Sequence, residues 1–350
     1  MCAVLKDGEI EIHDESKASQ IHNKGYFGKP QPGGALKLEL IEGLYLMENG
    51  RMDVKSKGKR VDIGALIRLA HRREENFEIR YLVYRDLRKR GYVVKTGIRP
   101  LDFRVFPRGG SPASTPTRYW VAAVSERAVF DLRKLHNLLE RATVARKTLL
   151  AAIVDEEGDL TYYRISKVSP RGRTAKRMAK PFAEAIFLGD RSIVLNPEEA
   201  ERIHESEFFG RMIGDRLQLS LIETAFLVKR GDIEVVNGRT GRRISHATFM
   251  REAAKVQGDF RMRLRVYEDL KERGIVVKTG FKYGSHFRAY KGDPKTHHAK
   301  YLVHSLPANH RGMWPEVSRA VRVAHGVKKD ILFGRVGRRI DYLRLYRIRP

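Results

Sequence analysis

The sequence predicts an α+β / α/β protein made by internal duplication, each half a small helix-rich N-terminal module followed by an α/β module. Three observations predict this. "YRDLRKRGYVVKTG" at 84–97 returns as "YEDLKERGIVVKTG" at 267–280. "LIEGLYLMENG" at 40–50 matches "LIETAFLVKRG" at 221–231, and "TRYWV" at 117–121 matches "AKYLV" at 299–303. The same elements thus recur in the same order at nearly constant spacing, which marks a duplication. Within the half read in detail, a helical apolar period gives way to strand-like alternation.

Taken in order, "SLIETAFLVKRG" is apolar at 221, 222, 225, 226 and 228 and stops at Gly231, a C-cap glycine, so a helix is expected. "HATFMREAAKV" begins a second helix and "MRLRVYEDLKERG" a third, which again ends at a glycine. Alternating "IVVKTGFKYG", "SHFRAY" and "KYLVHSL" read as strands. A helix over "WPEVSRAVRVAHGVKK" then leads into strands "DILFGRV" and "YLRLYRI". The basic stretch "SPRGRTAKRMAKP" at 169–181 is the joint. The expected division is an N-terminal module at 1–78, an α/β module at 79–170, a linker at 171–181, a second N-terminal module at 182–262 and a second α/β module at 263–350.

A chain of 350 residues fits two or more domains, and 42% hydrophobic with 9% aromatic residues is enough for packed cores. Cys2 is the only cysteine, which excludes an intramolecular disulfide framework and cysteine-paired zinc sites. The start "MCAVLKDGEIEIHDE" lacks a signal peptide's basic start and apolar centre, and no apolar run is long enough for a membrane span. A soluble, cytoplasmic protein with no membrane association is expected. Lys+Arg is 69 against Asp+Glu 42, a formal net charge of +27, which attracts a polyanion. Basic clusters such as "KSKGKR", "HRR" and "GRTGRR" recur in loop-like places without a basic amphipathic anchor, which puts nucleic acid ahead of a membrane surface.

The two copies then part. In "HFRAY", period two sets His286, Arg288 and Tyr290 on one strand face and Phe287 and Ala289 on the other. The apolar pair is expected to be buried, with the polar trio facing a groove or solvent. The first copy has Asp102, Arg104 and Phe106 at these places. His298 precedes "AKYLV" where the first copy has Pro116, and Lys329 aligns with Lys147. The second copy therefore holds a tyrosine, a histidine and a lysine, of which the first keeps only the lysine. Packing alone gives a tyrosine and a histidine no reason to vanish together while "VVKTG" survives.

These stretches resemble the tRNA-splicing (tRNA-intron) endonucleases of archaea of the two-repeat type, through "LSLIETAFL", "VYEDLKERGIVVKTGFKYGSHFRAY", "HHAKYLVH" and "VRVAHGVKKDIL". Weaker matches over the first half are "YLVYRDLRKRGYVVKTG" and "LLAAIVDEEGDLTYYRISKV". The resemblance implies that the second module of each half is nuclease-like, catalytic in the second repeat and non-catalytic in the first. It implies Tyr290 as general base on the 2′-OH, His298 as general acid on the departing 5′-oxygen and Lys329 as stabiliser of the pentavalent phosphate. No cofactor or metal is implied, and the product ends would be 2′,3′-cyclic phosphate and 5′-hydroxyl. An imidazole, with an ordinary pKa of about 6.5, suits an acid, whereas a phenol at about 10 needs a neighbouring cation such as Arg288 or Lys329.

Two rival readings remain. The histidines 286, 297, 298 and 304 lie near one another in sequence and fit a metallonuclease, although no carboxylate cluster accompanies them. A non-catalytic RNA-binding subunit is the other, and it suits the first half.

The resemblance further implies a substrate, precursor tRNA with a bulge–helix–bulge, and a homodimer with two active sites. Arg322 lies seven residues before Lys329, two helical turns, and is expected to share its face. In the family an arginine here and another near the C-terminus clamp a flipped base; Arg347 is the expected partner and Arg344 the alternative, with Arg288 as a further RNA-binding residue. The acidic turn Asp155, Glu156, Glu157 and Asp159 corresponds to a loop that docks into a basic groove of the partner chain. The long "PRGGSPASTPT" loop departs from the family pattern.

Overall fold

A computed structural model describes residues 2–174 and 182–350; the end of the expected linker, residues 175–181, lies outside the described residues. The chain forms two compact units, residues 1–128, 137–165 and 347–350 in the first and 129–136 and 166–346 in the second.

In the first unit the strands Lys29–Pro30, Leu36–Leu38, Glu9–Ile12, Cys2–Lys6, Asp53–Ser56 and Lys59–Val61 lie side by side in that order. The second unit repeats this strand for strand with Arg211–Ile213, Arg216–Ser220, Arg191–Val194, Ala183–Phe187, Ile233–Asn237 and Arg243–Ile244. In each sheet one neighbouring pair is parallel, Cys2–Lys6 with Asp53–Ser56 and Ala183–Phe187 with Ile233–Asn237. Each N-terminal module packs this sheet with three helices, Glu15–Asn23, Leu40–Glu48 and Ile63–Arg73 in the first and Pro197–Glu207, Leu221–Arg230 and His246–Val256 in the second. It is helix-rich as expected but also carries six strands that the sequence reading did not place. These strands are two to five residues long, and a stretch such as Glu9–Ile12 buries only two side chains, too few to show a period of two.

The three helices read between residues 221 and 272 fall where the sequence puts them. Leu221–Arg230 opens with a Ser220–Glu223 capping box and closes on Gly231 in the left-handed region. His246–Val256 and Phe260–Glu272 follow. Tyr267, Leu264 and Phe260 of the last carry its buried face into the core shared with Phe287, Val303 and Leu332.

The α/β module of the second unit places Val276–Thr279, Phe287–Tyr290, Tyr301–Pro307, Asp330–Val336 and Ile340–Ile348 side by side. All neighbours are antiparallel except Tyr301–Pro307 and Asp330–Val336, which the helix Trp314–Gly326 connects as a crossover. The first unit has the same arrangement, with Tyr119–Ser125 parallel to Thr148–Val154. Cross-strand partners match as well: Lys95 faces Arg104, and Lys278 faces Arg288.

That register explains why "VVKTG" is written twice. Lys278 Nζ donates to the Gly210 carbonyl at 2.7 Å, while Gly210 N donates to Glu223 Oε1 at 2.8 Å. In the first unit Lys95 Nζ donates to Gly28 O at 2.8 Å, and Gly28 N to Glu42 Oε1 at 3.0 Å. Both glycines have positive φ, +67° and +58°, and a Cβ would press to 2.7 Å and 2.4 Å on a backbone carbonyl. In each half the motif lysine thus ties the α/β module to the glycine and capping glutamate of the N-terminal module. The duplicated motif is a clamp between modules.

Candidate active site

The strand register gathers the three candidate residues at one end of three adjacent strands. Ala289 pairs with Tyr301, and Tyr301 with Asp330. Lys300 N donates to Ala289 O at 2.9 Å, and Asp330 N to Lys300 O at 3.1 Å. Tyr290 immediately follows the first of these residues, His298 leads into the second strand and Lys329 immediately precedes the third.

Lys329 reaches this place through a Schellman turn. The helix ends at Gly326, Lys328 N bonds to His325 O and Lys329 N to Ala324 O, and Lys328 takes φ 55°. This corrects the expectation that Arg322 and Lys329 share a helix face: the helical period does not run through a left-handed residue. Arg322 stays on the exposed side of the helix, and Lys329 immediately precedes the strand Asp330–Val336.

Tyr290 also differs from expectation. It is only 8% exposed, packed with Val276 and Ala299 and flanked by Phe208, so the predicted open polar face is partly roofed. Phe208 comes from the N-terminal module, a packing that period two along one strand does not report. The Arg288 guanidinium stands 5.9 Å from the Tyr290 ring centroid, and its buried Nε has no hydrogen-bond partner. His298 is exposed. The Lys329 ammonium donates to Val327 O at 3.0 Å and lies 5.5 Å from the centre of the Tyr283 ring.

Tyr283 was not singled out from the sequence. It belongs to a 3-10 turn, Phe281–Tyr283, that replaces the expected continuation of the strand after Thr279. Ser285 braces the turn with its hydroxyl 3.3 Å from Gly280 O and 3.2 Å from Phe287 O. The available signal was the turn sequence itself, which carries an aromatic pair in "GFKYG" where the first copy has "GIRPL".

His286 accepts from Ser305 N at 2.9 Å through Nδ1, which requires the tautomer protonated on Nε2. Burial, followed by the nearby Arg263 and His304, brings its pKa down to about 4; burial and Arg263 bring His304 down to about 4 as well. The two rings meet edge to face with centroids 5.4 Å apart. Among the described residues, no group of three or more His, Cys, Asp or Glu side chains is arranged to hold a metal ion.

The first unit has the same frame with other side chains. Phe106 takes the tyrosine position and is 6% exposed, and Pro116 takes that of His298. Lys147 ends an identical turn, with Arg146 at φ 54° and Lys147 N bonded to Ala142 O. Asp102 replaces His286, accepting from Ala123 N at 2.8 Å and pairing with Arg80.

The remaining candidates are dispersed. Arg344 pairs with Asp330, next to Lys329, at 3.5 Å and lies over Tyr346. Arg347 is exposed near the end of Ile340–Ile348. In the acidic turn two carboxylates are already engaged. Asp155 Oδ1 accepts from the backbone of Glu157 and Asp159, and Glu156 accepts from Arg127 Nε at 3.0 Å. A cavity of about 680 Å³ opens beside Arg263, Lys278 and His286 and is lined by none of Tyr290, His298 and Lys329. At this strand end His298 is exposed, Lys329 half-buried and Tyr290 buried. No helix among the described residues is long and apolar enough to cross a membrane.

A frame written twice thus holds a tyrosine, a histidine and a lysine at its strand ends in one copy and a phenylalanine, a proline and a lysine in the other. Comparison with known proteins agrees. The catalytic C-terminal domain of the tRNA intron endonucleases matches residues 77–162 and again 260–342, and their N-terminal domain matches 1–67 and 183–250. The chain is 36% identical over 347 residues to a tRNA-splicing endonuclease of Methanosarcina mazei, covering 98% of this chain and 97% of that one. It is 38% identical over 325 residues to one of Methanococcoides burtonii (91% and 92% covered), and 32% identical over 364 residues to one of Natronomonas pharaonis (99% of each). The chain belongs to the tRNA intron endonuclease family and is an RNA endonuclease.

Proposed function

We propose that the second half cuts precursor tRNA at bulge–helix–bulge exon–intron junctions, using the 2′-OH of the RNA as nucleophile. Tyr290 takes the 2′-OH proton, the 2′-oxygen bonds to phosphorus, the bond to the 5′-oxygen breaks, and His298 protonates that oxygen. Lys329 offsets the charge that builds on the phosphate. The products are a 2′,3′-cyclic phosphate and a 5′-hydroxyl. One observation carries this reading: Tyr290, His298 and Lys329 lie level at the ends of three adjacent strands, and the equivalent strand ends of the first half hold Phe106, Pro116 and Lys147.

In this reading Arg322 and Arg347, or Arg344 in its place, hold an unpaired base, and Arg288 serves the RNA beside Tyr290. The protein works in the cytoplasm as a homodimer, with the exposed acids of the 155–159 turn reaching the partner. The boundaries 1–78, 79–170, 171–181, 182–262 and 263–350 describe its modules. Incubation with a bulge–helix–bulge RNA in EDTA is expected to leave cleavage intact and give cyclic phosphate ends. Activity lost in EDTA and restored by zinc or magnesium would sink the triad and leave the histidine-dependent metallonuclease.

A further inference from the structure

The segment joining the two repeats follows a defined track on the second unit. Arg273 Nη1 donates to Ser169 Oγ at 3.0 Å. Gly172 N donates to Arg273 O at 3.0 Å, Arg173 N to Lys291 O at 2.7 Å and Thr174 N to Gly274 O at 3.1 Å. The Thr174 hydroxyl donates to the same Gly274 carbonyl. The two backbones approach so closely that a Cβ at Gly172 would stand 2.0 Å from the Gly274 carbonyl oxygen. A tether that only spans a gap needs none of these bonds.

The track ends where the chemistry is proposed. Lys291, which binds Arg173, is the residue after Tyr290. Arg171, Arg173 and Lys291 are all exposed, and the Lys291 ammonium lies over the Tyr301 ring at 5.8 Å. None of the ion pairs among the described residues involves Arg171, Arg173 or Lys291. Three exposed cations without carboxylate partners among the described residues thus sit on a backbone already held in place. Holding the segment beforehand removes much of the ordering entropy that a loose basic linker would lose on binding. Guanidinium groups also suit phosphate through paired N–H donors.

We infer that Arg171 and Arg173 bind phosphates of the RNA strand flanking the cut, so that the joint between the repeats is part of the substrate surface of the catalytic half. The inference rests on the reading of that half given under Proposed function.

The test is binding of the full-length protein to a bulge–helix–bulge RNA carrying 2′-deoxyribose at both junctions, measured across a salt series. For R171A/R173A the expected result is an affinity about 10-fold weaker near 0.1 M salt and a log–log salt slope smaller by roughly 1 to 2, the change from losing one or two phosphate contacts. R171K/R173K should restore the slope, since it keeps the charges. Gly172→Ala, which keeps every charge but cannot keep the track, should also weaken binding. Wild-type affinity and slope in R171A/R173A would overturn the inference, as would a loss that lysine does not rescue. Unchanged binding by Gly172→Ala would overturn the role of the held track. Lys329→Ala, assayed in parallel for cleavage of the all-ribose RNA, tests the underlying reading separately: full activity there removes the proposed site, whatever the arginines do.

Discussion

Strand Phe287–Tyr290 and strand Phe103–Val105 occupy the same place in their sheets, pair with the same neighbours and set a lysine of "VVKTG" opposite an arginine. One is followed in its sheet by a histidine and a lysine at the strand ends, the other by a proline and a lysine. The halves differ in the groups that can move protons and agree in the groups that hold the modules together. Duplication therefore separates two kinds of residue that a single copy would mix. What both copies keep, Lys95 and Lys278 with Glu42 and Glu223, is scaffold; what only one keeps is a candidate for chemistry. Lys147 and Lys329 are the instructive exception. Both end the same Schellman turn, so sequence alignment makes them equivalent, but only Lys329 has an aromatic ring beneath its ammonium.

The largest expected effect breaks that exception. Lys329→Ala should lower the single-turnover cleavage rate about 10²- to 10³-fold, the scale of losing one transition-state electrostatic contact, while Lys147→Ala stays near wild type. Equal losses would contradict the assignment of one live and one idle half.

The clamps come next. Lys278→Met leaves the Gly210 carbonyl without its donor and removes the cation whose field reaches Glu223. Lys95→Met removes the donor to Gly28 O and the ion-pair partner of Glu42. Each should destabilise its own half by about 3 kcal/mol, since removing one partner strands a buried charge. Denaturant unfolding should show comparable losses from the two. A loss at Lys278 alone would make that residue part of the site and the motif less than a shared scaffold.

A smaller difference lies in pH. His286, facing Asp259, Arg263 and His304, is held neutral with a pKa of about 4, as is His304. The unfolded chain takes up protons below about 6.5 that the folded chain refuses until about 4. The stabilisation is complete above that window and is lost as pH falls through it. The first half carries Asp102 and Ala122 there. Introducing those residues, His286→Asp with His304→Ala, should flatten the fall of Tm between pH 6.5 and 4; an unchanged slope would place the titration elsewhere.

The smallest effect concerns the acidic turn. Asp155 and Glu156 serve the turn itself, so neutralising all four acids would confuse folding with docking. Glu157→Gln with Asp159→Asn removes only exposed charges, each worth below about 1 kcal/mol. Sedimentation should show a modestly weaker dimer with each chain still folded. A dimer of unchanged affinity would make the turn a solvated loop.

Sequence alone determined the duplication, the three helices from 221 to 272 with the glycines that end the first and third, and the loss of a tyrosine and a histidine from the first copy. Those features are written in short windows: a 3.6-residue period, a glycine at a helix end, a substitution within an aligned motif. Tertiary structure decided the rest. The Lys278–Gly210 bond spans 68 residues and Arg173 meets Lys291 across the whole N-terminal module. Phe208 covers Tyr290 from another module, and a left-handed Lys328 breaks the helical spacing that linked Arg322 to Lys329. Local patterns report the backbone's preferred period and stops. They carry no record of which distant carbonyl, ring or glycine a side chain will meet once the modules pack, and that packing sets how the site is roofed, braced and approached.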